Sequence, residues 1–123
     1  MKIQKSAEDY LESILIIGKE KGNVRSIDVA NDLGFSKPSV SVAMKNLREN
    51  GYIAMDSTGH ITLTDSGREI AEKMYERHTT LSSWLMSLGV DEKTATDDAC
   101  KIEHVISSES FSAIKKLVKD NNE

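Results

Sequence analysis

Apolar residues recur at helical spacing along most of the chain. Between Ser6 and about Lys21, Tyr10, Leu11, Ile14, Leu15 and Ile17 form one stripe. The pattern predicts an amphipathic helix with Ser6 as N-cap and Asp9 three residues on. Gly22-Asn23 ends it, and Ile27, Val29, Ala30 and Leu33 mark a short second helix over 26–33, with Asp28 in its first turn. Gly34-Phe35 is a tight turn. Ser36 then caps a third helix with Pro38 in its first turn, where the missing N–H costs nothing. That helix runs through Val40, Ala43, Met44 and Leu47 to about Asn50, and Gly51 stops it. The period then changes from helix to strand. Tyr52-Ile53-Ala54-Met55 and His60-Ile61-Thr62-Leu63 flank the turn-forming run Asp56-Ser57-Thr58-Gly59, which predicts a hairpin. Thr64 or Asp65 caps a long helix to about Leu88, and two further helices are expected over about 91–107 and 110–119.

Two helices, a turn, a third helix and a two-stranded wing are the order of a winged helix-turn-helix. The expected fold class is therefore mainly α: a winged helix-turn-helix over 1–64, then a helical domain over 65–123, to which the resemblance given below assigns metal binding and dimerisation. Apolar faces on the last three helices (Trp84, Leu85, Leu88, Ile102, Val105, Ile106, Phe111, Ile114 and Leu117) point to a homodimer. Composition agrees with an ordinary globular chain: of 123 residues, 38% are hydrophobic and 29% charged. The longest strongly apolar run, Ile14 to Ile17, is far short of the roughly 20 residues that span a bilayer. No apolar leader region follows Met1, and the single cysteine, Cys100, excludes an internal disulfide. A reducing, cytoplasmic location with no membrane partner is expected.

The formal net charge of −4 argues at first against nucleic acid, but its distribution changes that. Residues 34–48 hold Lys37, Lys45 and Arg48 with no acid, whereas residues 91–123 hold eight acids against five bases. A phosphate backbone responds to the local field. Recognition helices present their N-terminal residues to base edges in the major groove. Here those residues are Ser36, Lys37, Pro38, Ser39, Ser41 and, a turn further, Lys45. Arg25 and the wing tip (Ser57, Thr58 and His60) are candidates for adjacent phosphates. The expected partner is double-stranded DNA.

Cys100, Glu103 and His104 fall at i, i+3 and i+4, on one face of a helix. Thiolate, carboxylate and imidazole make poor core material but good ligands for a first-row divalent metal. Asp9 and Glu12, at i and i+3 of the first helix, offer a second acidic edge, and His78 lies on the long helix. Taken singly each has a plainer reading: a buried thiol, acids favoured by a helix N-terminus, a surface imidazole.

With these motifs in view, the sequence resembles the diphtheria toxin repressor and manganese transport regulator family of metal-dependent transcriptional repressors. The resemblance is carried by Glu-Asp-Tyr-Leu-Glu at 8–12, Ser-Lys-Pro-Ser-Val-Ser at 36–41, Leu-Thr-Asp-Ser-Gly-Arg at 63–68 and Asp-Asp-Ala-Cys-Lys-Ile-Glu-His-Val-Ile-Ser at 97–107. It implies a homodimer that binds a palindromic operator when loaded with metal. The ligand positions it implies are Asp9, Glu12, His78, Cys100, Glu103 and His104. The match is a hybrid. The manganese-sensing branch has both first-helix acids but a Glu in place of Cys100, and the iron-sensing branch has the Cys but a Met in place of Asp9. Ser82 and Thr96 stand where the iron branch carries a second site, which is expected to be absent or altered here. The iron branch's SH3-like third domain is likewise expected to be missing. The cofactor implied is Fe²⁺ or Mn²⁺: oxygen ligands suit Mn²⁺, and sulfur shifts preference toward Fe²⁺ or a softer ion.

Two rival readings remain at this stage. One is a winged-helix regulator that needs no metal. The other is a small metalloenzyme with Glu12 or Glu103 as general base. No Ser-His-Asp arrangement or Gly-rich phosphate loop stands out, so an enzyme and a small organic substrate are not expected.

Overall fold

The computed structural model describes residues 5–121. The elements are α1 (Lys5–Lys21), α2 (Ser26–Leu33), α3 (Lys37–Glu49), β1 (Ile53–Met55), β2 (Ile61–Leu63), α4 (Asp65–Ser87), α5 (Glu92–Ile102) and α6 (Ser108–Asn121). The chain divides into two compact units with the boundary inside α4, between Glu72 and Lys73.

In the N-terminal unit α1 packs on α2 and β2, α2 on α3, and α3 on β1. The expected α1 stripe is buried at Tyr10, Leu11, Ile14, Leu15 and Ile17. Ser6 is not the cap, because the helix already includes Lys5, whose Nζ pairs with Asp9 Oδ2 at 3.0 Å across one turn. In α2, Asp28 accepts from the Arg25 backbone N–H at 3.0 Å and from Lys21 Nζ at 2.9 Å. The Lys21 contact is the main cause that holds the Asp28 pKa below its ordinary value. Gly34 ends α2 at φ 72°, a left-handed conformation that costs glycine nothing, and its N–H returns to the Ala30 carbonyl at 2.9 Å.

The wing is shorter than its sequence pattern by one residue per strand. Ile53 pairs with Leu63, Ala54 with Thr62 and Met55 with Ile61, antiparallel. Tyr52 and His60 lie outside the ladder. Asp56 draws His60 into the turn: its Oδ1 accepts from the His60 backbone N–H at 2.9 Å and from the Thr58 N–H at 2.9 Å. Thr64 is the N-cap of α4, accepting from the Gly67 N–H at 3.2 Å and donating to the Gly51 carbonyl at 2.6 Å. Gly67 is required by close approach, since a Cβ there would run into the Tyr52 carbonyl oxygen and touch the Leu63 side chain.

In the C-terminal unit Leu81, Ala99 and Phe111 form a buried cluster, with Trp84, Ile102, Ile106 and Ile114 packed against it. Five of the nine residues expected at a dimer face are therefore engaged in this core. Leu88, Val105 and Leu117 remain exposed, with Met86 beside them in the exposed apolar set. Asp91 caps α5 by accepting from the Thr94 N–H at 3.1 Å. The helix expected to reach Ser107 stops at Ile102. Ser107 instead caps α6, its hydroxyl accepting from the Ser110 N–H at 3.0 Å, so α6 starts at Ser108 rather than Ser110.

Candidate metal centre and nucleic-acid interface

The DNA-facing residues sit where α3 begins. Ser36 has extended backbone and accepts from the Ser39 N–H at 3.3 Å, with Pro38 in the first turn as expected. Its hydroxyl also donates to Ser39 Oγ at 2.9 Å. Buried Val40, Met44 and Leu47 anchor the helix, each contributing about 1.5–3 kcal/mol by burial. Ser36, Lys37, Pro38, Ser39, Ser41 and Lys45 are all exposed on the remaining surface, as is Arg25.

Lys37, Ser41, Lys45 and Arg48 follow one flank of α3 at spacings of four, four and three. Two depressions open beside that flank. One of about 200 Å³ is lined by Ser26, Ile27, Lys37 and Ser41. The other, of about 170 Å³, is lined by Ser26, Ser41, Met44, Lys45, Arg48 and Met55. Arg48, whose Nη1 lies 3.9 Å from Met55 Sδ, and Ser26 were not among the sequence candidates. The spacing from Lys37 to Arg48 was the signal that could have found the arginine.

The wing tip is less suited to phosphate. Thr58 donates its hydroxyl to Asp56 Oδ1 at 2.7 Å and sits 3.0 Å from His60 Nδ1. The Thr58 hydroxyl, with the His60 and Thr58 backbone N–H groups, holds the Asp56 carboxyl down to about 2. A fixed negative charge thus stands beside exposed Ser57.

The metal-ligand candidates of the C-terminal unit converge where α5 ends. Cys100 lies in its last turn and is half-buried. Glu103 is the C-cap, still in right-handed helical conformation, and donates its backbone N–H to the Ala99 carbonyl at 3.0 Å. His104 follows in the turn. One further turn of helix-like backbone therefore preserves the expected common face although α5 has ended. The ligand atoms of Cys100, Glu103 and His104 lie within 4.8 Å of one another.

Glu103 is fully buried, with its Oε1 3.3 Å from His104 Nε2 and its Oε2 3.1 Å from Nδ1 of His78 on α4. The hydrogen bond to Glu103 raises the His78 pKa above the ordinary imidazole value, against the opposing effect of partial burial. Among the described residues Glu103 Oε1 accepts no hydrogen bond, although it faces His104 Nε2 at 3.3 Å, so this buried oxygen is available to a cation. Oxygen, nitrogen and sulfur donors at this spacing fit a first-row divalent metal. Asp9 and Glu12 stand one turn apart on α1 of the N-terminal unit, Glu12 buried and Asp9 partly so.

The chain is similar to known proteins along most of its length. Residues 2–61 match the model described as "Iron dependent repressor, N-terminal DNA binding domain". Residues 64–123 match "Iron dependent repressor, metal binding and dimerisation domain". An uncharacterized HTH-type transcriptional regulator of Methanocaldococcus jannaschii is 36% identical over 115 residues, covering 92% of each chain. The transcriptional regulator MntR of Escherichia coli O157:H7 is 35% identical over 108 residues, 88% of this chain and 70% of that protein. A solved manganese-dependent transcriptional repressor in complex with manganese superposes with a TM-score of 0.83 at 30% identity, over 92% of this chain. The chain spans about half of that repressor's length, 52%. The chain belongs to the diphtheria toxin repressor and manganese transport regulator family of metal-dependent transcriptional repressors, with the family's DNA-binding domain first and its metal-binding and dimerisation domain second.

Proposed function

We propose that this protein is a repressor that binds operator DNA as a homodimer when loaded with Fe²⁺ or Mn²⁺, and so controls metal homeostasis. The observation that carries the reading is the Cys100–Glu103–His104 cluster, whose ligand atoms lie within 4.8 Å of one another around a buried carboxylate with an oxygen that accepts no hydrogen bond. Asp9 and Glu12 of α1 and His78 of α4 complete the ligand set in this proposal. A bound divalent cation would supply positive charge to offset the buried Glu103 carboxylate. Glu103 holds its oxygens inward, Cys100 offers a thiolate, and His78 and His104 must be neutral to coordinate.

Residues 1–64 act on DNA and residues 65–123 bind metal and dimerise. Exposed Met86, Leu88, Val105 and Leu117 support a partner subunit, because apolar area of this kind favours burial. Lys37, Lys45 and Arg25 take phosphates, with Ser36, Pro38, Ser39 and Ser41 at the base edges and Ser57, Thr58 and His60 at the flank. Dimerisation places two copies of α3 about 34 Å apart, one turn of B-DNA.

An anaerobic titration with Mn²⁺ and with Fe²⁺, beside Cys100→Ala, tests the reading. Saturable binding is expected for both ions, with Fe²⁺ weakened more than Mn²⁺ by loss of the sulfur. Absence of saturable binding would leave a winged-helix regulator with another signal.

A further inference from the structure

Glu103 and His104 stand at and beyond the end of a regular helix, so their placement depends on what fixes the turn over 103–106. The carbonyls past Ile102 have no donors from a continuing helix. Arg77 of α4 supplies donors to two of them. Its Nη1 donates to the Glu103 carbonyl at 3.0 Å and to the Ile106 carbonyl at 2.8 Å, and its Nη2 donates to Ser108 Oγ at 3.4 Å. The residue is 5% exposed. Its guanidinium carbon lies 5.6 Å from the centre of the Phe111 ring, which restricts the plane of the fork. One side chain thereby ties α4, the turn and the start of α6 together. His78, next in sequence, meets the Glu103 carboxylate at 3.1 Å, so adjacent residues of α4 engage main chain and side chain of the same ligand residue.

We propose that Arg77 is a positioning residue of the metal centre: by clamping the Glu103 and Ile106 carbonyls it holds the Glu103 and His104 side chains in coordinating register before an ion arrives. The inference rests on reading Cys100, Glu103 and His104 as ligands. A left-handed glycine would terminate the helix without burying a charge. What arginine adds is a rigid fork whose donors reach two carbonyls and a hydroxyl at once. Lysine keeps the charge and loses the fork.

The test uses the full chain as wild type, Arg77→Lys and Leu81→Val. Leu81→Val loosens the core of the same unit, against which Ile106 packs, without removing a hydrogen-bond donor to the turn. Each is titrated with Mn²⁺ and with Co²⁺, whose d–d spectrum reports coordination geometry, and apo thermal unfolding is recorded alongside. Arg77→Lys is expected to weaken Mn²⁺ binding about 10- to 100-fold and to shift the Co²⁺ bands. Leu81→Val is expected to lower apo stability while keeping wild-type affinity and spectrum. Wild-type affinity and spectrum in Arg77→Lys would overturn the proposal, as would an equal loss in Leu81→Val at equal apo stability. Should Arg77→Lys fail to fold, Ser108→Ala, which removes only the Nη2 acceptor, is expected to weaken Mn²⁺ binding about two- to threefold, and unchanged affinity would refute the clamp. If the wild type binds neither ion, the metal reading itself fails and this inference falls with it.

Discussion

The start of α3 and the end of α5 are both helix termini that carry candidate chemistry, and they are built in opposite ways. At the start of α3 every candidate side chain is exposed, and the terminus is satisfied locally, by Ser36 on Ser39. At the end of α5 the chemistry is buried, and the terminus is satisfied from a distance by Arg77. The difference follows from the ligands. A duplex is a large polyanion that exposed hydroxyls and lysines can meet with solvent still present. A single ion must be surrounded, so its carboxylate and imidazoles have to be desolvated and held together beforehand.

Ligand removal at the buried terminus should give the largest effect. His104→Ala is expected to weaken Mn²⁺ binding about 100-fold or more, measured by titration, with little change in the far-ultraviolet circular dichroism of the apo protein. Ordinary packing governs the next. Gly67→Ala drives a Cβ into the Tyr52 carbonyl and is expected to destabilise the N-terminal unit by about 1–3 kcal/mol in urea unfolding. An unchanged midpoint would mean that the wing and α4 can part without cost.

Smaller effects belong to the exposed terminus. Ser36→Ala removes the α3 cap and should cost about 1 kcal/mol of stability. Lys37→Ala should leave stability unchanged, yet reduce the slope of log affinity against log salt by about one for duplex DNA. A slope equal to the wild type's would remove Lys37 from the phosphate contacts and weaken the contrast between the two termini.

That contrast also explains what was legible in the sequence. The α3 terminus could be read because its signals are local: serine, lysine, proline and serine in succession specify both a cap and a first turn. The wing was readable for the same reason, from Asp56 to Gly59; its excess residue at His60 came from the reach of the Asp56 carboxylate, and that at Tyr52 from the end of α3, where the Tyr52 N–H donates to the Leu47 carbonyl at 3.0 Å. The α5 terminus was not readable. Cys100 to Ser107 contains no glycine or proline, so helical periodicity runs straight through, while the actual stop involves an arginine 26 residues upstream. Spacing still identified Cys100, Glu103 and His104 as one face, because the backbone stays helix-like for another turn. Nothing local marked Arg77, which reads as one more charge on α4. Burial of Phe111, and packing of the partly buried Ile102 and Ile114 against it in the unit's own core, was likewise invisible, since apolar periodicity does not say which neighbour covers a face.

The smallest prediction concerns pH at the exposed wing. The Asp56 carboxyl is held at about 2 in the folded turn against 3.8 when released. A depressed folded pKa contributes stability above the ordinary carboxylate value, and the contribution is lost as pH falls through about 2. The stability difference between wild type and Asp56→Ala should therefore be constant near neutral pH and shrink below about pH 4.

The central claim is that metal held at the buried terminus controls DNA binding at the exposed one. The direct measurement is affinity for an operator duplex, selected from a random pool in the presence of Mn²⁺, with saturating Mn²⁺ and with chelator, for wild type and His104→Ala. Coupling predicts a gain of about 5- to 150-fold with metal for the wild type and none for His104→Ala. Equal affinity with and without metal in the wild type would contradict it.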